Sequence, residues 1–414
     1  MTIYSGFSYL KRYRFVEKQI LFPPSPRLGL VVVIPCHNEP ELFRTLDSLE
    51  ACAIPRAEVE VIVVINSPAL CAPEIIRQNQ QTLEEGRIRN GSPGRKFPCH
   101  FLNFPDLPPK HAGVGLARKI GMDEAVERLE SAGNPNGIII CLDADSTVAP
   151  NYFVEIEKLF SDYPQTEAIS IYFEHPLEGK EFPEDIYAGI IRYELFLRYY
   201  IRALRYAGYP YAQHAVGSSM AVRAVPYQQR GGMNRRKAGE DFYFLHKFLP
   251  ENTVRELNTT TVYPSPRPSD KVPFGTGRAI RKWLEEGANE WNTYSPRIFD
   301  DLRIFTAAVP VFFRETPAHL PDSVVQFLLK EGFEDKLPEI RANVTGEKAF
   351  VKRFYQWFDG LKVLKYVHFA SENYYPEMPV GIAAATLLKK VFDDSYEVSE
   401  RKLLEVYRRW ESMR

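Results

Sequence analysis

No stretch of this 414-residue chain offers the roughly 18 uncharged apolar residues in a row that a membrane-crossing helix needs, so no transmembrane span is expected. Cysteine is scarce. The five present, Cys36, Cys52, Cys71, Cys99 and Cys141, are odd in number and form no C-x-x-C pair, which argues against a disulfide framework and fits a reduced, cytoplasmic compartment. Cys36 and Cys141 lie in or beside apolar runs and read as small buried hydrophobes rather than nucleophiles. Charge of either sign is not in excess: the formal net charge is −1, without the basic footprint that nucleic-acid binding leaves. Repeats and low-complexity tracts are absent. Met1 to Phe22 mixes Lys11, Arg12, Arg14 and Lys18 among aromatics, with no apolar core before a small-residue cleavage site, so no secretory signal is expected.

With 45% apolar and 25% charged residues, the chain has the composition of an ordinary globular protein, and its length favours a main domain plus a smaller one. Residues 1–27 read as an arm, ending in Pro23-Pro24-Ser25-Pro26, which can neither continue a helix nor enter a sheet interior. Apolar strand-like runs follow at Leu28–Ile34, Val59–Ile65, His100–Phe104 and Ile138–Leu142, with helical spacing over Glu41–Ala51 and Ala112–Leu129 between them. Strand, helix, strand in this order argues for a parallel sheet with right-handed crossovers. The expected fold is α/β, a Rossmann-like, mixed but mainly parallel sheet flanked by helices. Residues 28–145 are expected to form its first, Rossmann-like half and 146–270 its second, with a helical C-terminal extension over 271–414.

The Ile138 run stops at Asp143-Ala144-Asp145. A strand buried on both faces would place these carboxylates at its carboxyl end, where open α/β sheets bind ligands. Two aspartates at i and i+2 can share one hard cation that also holds phosphate oxygens. In the same sheet the turn Pro35-Cys36-His37-Asn38-Glu39 should lie alongside. Further on, Gly231–Gly239 encloses Arg235, Arg236 and Lys237, a composition suited to a lid over an anionic ligand. Ile186–Tyr206 carries Arg198, Arg202 and Arg205 beside an apolar face, the pattern of a helix lying on an acidic membrane or of a core helix with snorkelling arginines.

Taken together, three of these stretches resemble the family 2 glycosyltransferases, the large inverting group with the GT-A fold. Val32-Val33-Ile34-Pro35-Cys36-His37-Asn38-Glu39 is similar to the family's first strand and Pro-x-x-Asn-Glu turn. Ala117-Arg118-Lys119-Ile120-Gly121 through to Asp143-Ala144-Asp145 is similar to its Ala-Arg-Asn-x-Gly helix and metal-binding Asp-x-Asp. Gly217-Ser218-Ser219-Met220, Gly231-Gly232 and Gly239-Glu240-Asp241 are similar to its acceptor-side segment ending in the catalytic Glu-Asp. The resemblance covers about residues 28–250 and implies a nucleotide-binding role for the 28–145 half and an acceptor role for the 146–270 half. It implies a hexosyltransferase-like enzyme taking a UDP- or GDP-sugar donor, with Asp145, assisted by Asp143, holding Mn²⁺ or Mg²⁺ on the donor diphosphate. Pro35, Asn38 and Glu39 would face the nucleoside, and Lys110 and Arg118 would lie near the nucleotide. Asp241 would be the general base.

Three departures stand out. Ile65-Asn66-Ser67 occupies the place of an Asp-Asp pair, and Asn66 can read a uracil edge with its donor and acceptor atoms. Lys119 replaces the usual Asn. Arg278-Ala279-Ile280-Arg281-Lys282-Trp283 is one residue out of the processive motif, so a processive synthase is not expected. Glu240, beside Asp241, is a candidate for acceptor hydroxyls, as are His214, Gly217 and Ser218, while His246 is a candidate third metal ligand. The acceptor would be a glycan, a lipid-linked molecule or a small molecule, and the protein could make peripheral contact at the inner membrane face. Glu240-Asp241 also reads as an acidic helix start. A nucleotidyltransferase acting on a sugar phosphate is the rival enzyme, though it would usually carry a Gly-rich basic loop after the first strand. A non-catalytic nucleotide-sugar or carbohydrate-binding protein is the rival of another class.

Overall fold

The computed structural model describes residues 7–271, 273, 275–287, 290–393 and 399–412. Its contacts divide the chain into two units. One comprises residues up to Pro176 with Ala215–Arg278, the other Leu177–His214 with the chain from Ala279 onward.

The first unit is built on an eight-stranded sheet: β1 Leu28–Cys36, β2 Glu58–Pro68, β3 Cys99–Leu107, β4 Ile138–Cys141, β5 Thr147–Val148, β6 Ala168–Phe173, β7 Met220–Arg223 and β8 Val254–Tyr263. They lie in the order β3-β2-β1-β4-β7-β6-β8-β5. β1 is buried along its whole length except at Pro35, as its Val/Ile/Leu run requires of a strand covered on both faces. It pairs in parallel with β2, Val32 opposite Val61, and with β4, Val33 opposite Cys141. β7 then runs antiparallel to both β4 and β6, β8 parallel to β6, and β5 antiparallel to β8. Strand order reverses between β1 and β4, the switch point at which open α/β sheets form a ligand crevice. The mixed, mainly parallel sheet expected from the sequence is present, with Cys36 and Cys141 buried in it. Burial pushes both thiols up to about 12, which keeps them protonated.

The helix Val114–Ser131 packs against β1 and β2. A Cβ at Gly121 would come within 2.4 Å of Val33 Cγ1, so the helix approaches the sheet more closely than any side chain there would permit. Its buried charges are matched. Lys119 Nζ lies 2.8 Å from Asp123 and 3.1 Å from the Tyr9 hydroxyl, and Tyr227 donates to Asp123 at 2.7 Å. Glu124 accepts the backbone N–H of Ile20 at 2.8 Å, and Arg128 Nε lies 2.8 Å from Glu60. The expected N-terminal arm is therefore a strap, with helix Phe7–Tyr13 anchored by Tyr9 and Leu10, and Lys119 is the residue that receives it.

The second unit is helical, with helices Glu184–Tyr206, Pro296–Ala308, Asp322–Lys330, Phe333–Ala342, Glu347–Trp357, Gly360–Asn373, Val380–Phe392 and Glu400–Ser412 among its elements. Helices Glu347–Trp357 and Gly360–Asn373 are divided at Phe358, after which Asp359 accepts the Lys362 N–H at 2.9 Å as an N-cap. The helical pattern that the sequence carries over Ser399–Met413 is found as Glu400–Ser412, and Met413 lies outside the described residues. The division also differs from the expected 28–270 and 271–414. Leu195, Tyr199, Ala203 and Leu204 of the Glu184–Tyr206 helix belong to the same core as Phe305, Phe354 and Phe358, which assigns that helix to the second unit.

The basic face of this helix is internal. Arg198 and Arg202 have fully buried side chains, Arg198 lying 2.8 Å from Glu194 and ion-paired with Glu411, and Arg205 Nε donates to Ala212 O at 2.9 Å. This corrects the membrane-surface reading, because arginines locked on buried carboxylates cannot meet lipid headgroups. Among the described residues no helix is long and apolar enough to cross a membrane.

Burial opposes ionisation of Glu411, but Arg198, His214 and Arg202 outweigh it and hold its carboxyl at about 2 instead of 4.5. A lowered folded pKa stabilises the fold above about pH 4.5 and is lost as pH falls from there towards 2, a contribution on the order of 3 kcal/mol at neutral pH. Glu411→Gln should therefore lower the urea midpoint at pH 7, and its difference from wild type should shrink progressively below pH 4.5.

Candidate active site

One buried guanidinium joins the two acidic motifs. Arg118, in the first turns of the Val114–Ser131 helix, has a side chain 2% exposed and forms ion pairs with Asp143 through one terminal nitrogen and with Glu240 through the other. The resemblance implied a nucleotide contact for Arg118, but the structure commits both of these nitrogens to protein carboxylates. Gly217 is shaped by the same group: a Cβ there would fall 2.4 Å from an Arg118 terminal nitrogen and 2.7 Å from Cζ. Gly217 thus leaves space for Arg118, and Ser218 beside it is 1% exposed, its hydroxyl 3.4 Å from that of Ser219.

Glu240 and Asp241 open the short helix Glu240–Leu245, with Gly239 at its N-cap in the left-handed region (φ 68°). Glu240 is buried on Arg118, which corrects the expectation that it meets acceptor hydroxyls. Asp241 accepts its neighbour Phe242 N–H at 2.7 Å. Burial raises the Asp241 carboxyl, Arg118 pulls it down, and the charge of Asp143 raises it again. In the Gly231–Gly239 loop, Asn234 Nδ2 donates to Glu240 O at 3.0 Å, and Arg236 lies over the Tyr243 ring at 3.8 Å. His246 stacks on Phe242 at 3.9 Å, with Nδ1 2.7 Å from Phe242 O.

Asp143 and Asp145 leave β4 at the switch point with side chains 37% and 35% exposed. Thr45 fixes the turn between them by donating to Ala144 O at 2.9 Å. Partial loss of water around this half-exposed side chain, aided by the charges of Asp143 and Glu39, raises the Asp145 carboxyl above the usual aspartate range, while Arg267 and Lys271 pull it back. Among the described residues no group of three or more His, Cys, Asp or Glu side chains is arranged to hold a metal. A cation here would need oxygen ligands from a substrate as well. The carboxyl groups outnumber the cations. Glu39, Asp143, Asp145, Glu240 and Asp241 are five carboxylates, while Arg118, Arg267 and Lys271 supply three cations.

The turn after β1 lies at the same edge. Asn38 is in the left-handed region (φ 49°), and its N–H donates to Asn79 Oδ1 at 3.0 Å. Asn79 Nδ2 donates to Asn66 O at 3.2 Å, and His37 Nδ1 lies 2.7 Å from that oxygen. One buried amide thus ties the carboxyl ends of β1 and β2. Pro35 remains within β1, opposite Val64, and Asn66 within β2 is 3% exposed. Glu39, with a 5% exposed side chain, accepts Lys271 Nζ at 2.8 Å and the Glu41 N–H at 2.9 Å, and pairs with Arg267. Burial would raise its carboxyl, but Lys271 and Arg267 hold it below the ordinary range.

Lys110 is exposed in the turn after β3, and His214 belongs to the second unit, where Nε2 lies 3.2 Å from Glu411. Sequence reasoning missed Asn79, Arg267 and Lys271. The signal for the last two was a Pro-Ser-Pro-Arg-Pro-Ser-Asp-Lys run following Tyr263, whose strand β8 was itself unread because Leu-Asn-Thr-Thr-Thr is polar.

No family model matches this chain, and no curated protein matches its sequence. Among solved structures, it is similar to residues 1–349 of S. aureus TarS in complex with UDP-GlcNAc, at 15% identity and a TM-score of 0.42, covering 80% of this chain and 92% of that one. It is also similar to the mannosyltransferase PcManGT from Pyrobaculum calidifontis in complex with GDP-Man and Mn²⁺, at 14% identity and a TM-score of 0.33, over 98% and 94% of the two chains. At this distance the functional reading has to stand on the chain's own residues.

Replacing Arg118 by Met leaves two buried or half-buried carboxylates uncompensated and should cost about 3–5 kcal/mol in urea denaturation. Gly217→Ala should cost about 1–3 kcal/mol in the wild type, from overpacking against the guanidinium. In the Arg118→Met background that second cost should largely disappear, a non-additivity that a double-mutant cycle measures. Additive losses would mean that Gly217 is required for some other reason.

Proposed function

We propose that this chain is an inverting glycosyltransferase of the family 2 type, moving a sugar from a UDP- or GDP-sugar to an acceptor hydroxyl. The observation that carries the reading is the joining of Asp143 and Glu240 on Arg118, which sets a pair of metal-capable carboxylates and a separate acidic helix start around one crevice. A protein that only bound sugar nucleotides would need no second acidic group beside the first.

Asp145, with Asp143, would hold Mg²⁺ or Mn²⁺ together with donor phosphate oxygens. When bound, that ion neutralises charge developing on the leaving diphosphate. The remaining work falls to the chain's own groups. The acceptor oxygen forms a bond to the anomeric carbon as the bond from that carbon to the diphosphate oxygen breaks, and the electron pair leaves with the diphosphate. The proton of the attacking hydroxyl passes to Asp241, whose raised carboxyl is closer to neutrality than an ordinary aspartate and so suits a general base. Glu240 and Arg118 position that base and Asp143 without touching substrate. Asn79 holds the Asn38 turn and Asn66, where the nucleoside would lie. A single base, with no second carboxylate free to act as nucleophile, accords with inversion.

Incubation with a panel of UDP- and GDP-sugars and Mn²⁺ should release the nucleoside diphosphate. Asp241→Asn should reduce that release about 10²- to 10⁴-fold while donor binding persists. Asp145→Ala should abolish metal-dependent donor binding as well, read by calorimetry. Pyrophosphate released from a nucleoside triphosphate and a sugar phosphate would instead identify a nucleotidyltransferase. Donor binding with no turnover of any acceptor would identify a binding protein.

A further inference from the structure

The segment following β8 supplies two cations that the acidic motifs do not account for. β8 runs in the same direction as β1 and β4, so the chain leaving Tyr263 emerges at the sheet edge that carries Glu39 and Asp145. From there Arg267 pairs with Glu39 Oε2 and lies 3.8 Å from Asp145 Oδ2, while Lys271 Nζ reaches the same Glu39 oxygen at 2.8 Å. The burial is uneven: the Glu39 side chain is 5% exposed, those of Arg267 and Lys271 27% and 32%. The carboxylate is thus enclosed while both cations keep an open side.

We propose that Arg267 and Lys271 are the cations that receive the donor's diphosphate, and that Glu39 holds them in position until it arrives. The inference rests on the glycosyltransferase reading and adds to it the residues that select a diphosphate over a monophosphate. A guanidinium offers five N–H donors in a planar fork that suits phosphate oxygens as well as carboxylate. In Arg267 only one terminal nitrogen has a protein partner within hydrogen-bond distance among the described residues. Lys271 adds a point charge with three donors, one of them used. Glu39 carries a single charge and is already satisfied in part by the Glu41 N–H. A diphosphate carries more charge and more acceptor oxygens, so it competes for both cations without dismantling the turn. The role assigned to Glu39 differs from a nucleoside contact: its removal should free the cations and strengthen diphosphate binding.

Calorimetric titration of the full chain with inorganic pyrophosphate, in EDTA to exclude metal, isolates these charges from every nucleoside contact. Glu39→Gln should tighten pyrophosphate binding several-fold, and the Arg267→Gln/Lys271→Gln double variant should weaken it at least tenfold. Arg56→Gln, an exposed position before β2 at the opposite end of the sheet, should leave it unchanged and controls for net charge. In parallel, the preference for UDP over UMP should collapse in the double variant, with thermal unfolding verifying that each variant is folded. Equal pyrophosphate affinity in wild type and double variant, or weaker binding in Glu39→Gln, would overturn the proposal. If that occurred while the wild type still turned over a nucleotide sugar, the glycosyltransferase reading would survive. If the wild type bound neither UDP nor GDP, both would fall.

Discussion

The site depends on a buried charge that cannot be left alone. Arg118 sits inside the first unit with Asp143 on one terminal nitrogen and Glu240 on the other. Taking a guanidinium out of water is costly unless its partners are close and correctly placed. The pairing therefore fixes the turn after β4 and the start of the Glu240 helix, segments almost a hundred residues apart in sequence, relative to each other. Gly217 follows from the same constraint, since any side chain there would displace the guanidinium. Carboxyl groups outnumber cations in this group, and under the proposed function Asp145 would take the metal ion and Asp241 the proton.

The helix that presents Arg118 is itself held on every side. Gly121 lets it lie close on β1 and β2, and Lys119, Asp123, Glu124 and Arg128 are each paired within the unit. The N-terminal strap supplies part of that pairing through Tyr9 and the backbone of Ile20. Lys119, which departs from the family pattern, is accounted for by this strap: it needs Tyr9 and Asp123 nearby, and both are there. The position of a site residue is in this way tied to a segment outside the stretch that resembles the family.

What was legible in the sequence is what periodicity and composition encode. Uninterrupted Val/Ile runs gave the central strands, and the end of the Ile138 run at Asp143 located the crevice. The Glu240-Asp241 pair was read as a helix start, and it is one. Side-chain destinations were not legible, because a charged residue looks the same whether it reaches solvent, substrate or a buried partner. Arg118 and Glu240 were expected at ligands but face each other. Arg198 and Arg202, whose spacing fitted either a membrane-surface helix or a core helix with snorkelling arginines, are enclosed on Glu194 and Glu411. Arg267 and Lys271 lay in a proline-rich run after a polar strand, and only the sheet order brings that run back to Glu39. Long-range topology, which no local pattern records, decided each of these cases.

The most direct test is a crystal structure of the full chain with Mn²⁺ and UDP or GDP, using the anomalous signal of the metal. The account places a manganese peak on Asp145 and Asp143, with the diphosphate beside it and Arg118 still bound to Asp143 and Glu240. A nucleotide seated elsewhere, or Arg118 released from its carboxylates to bind phosphate, would contradict it.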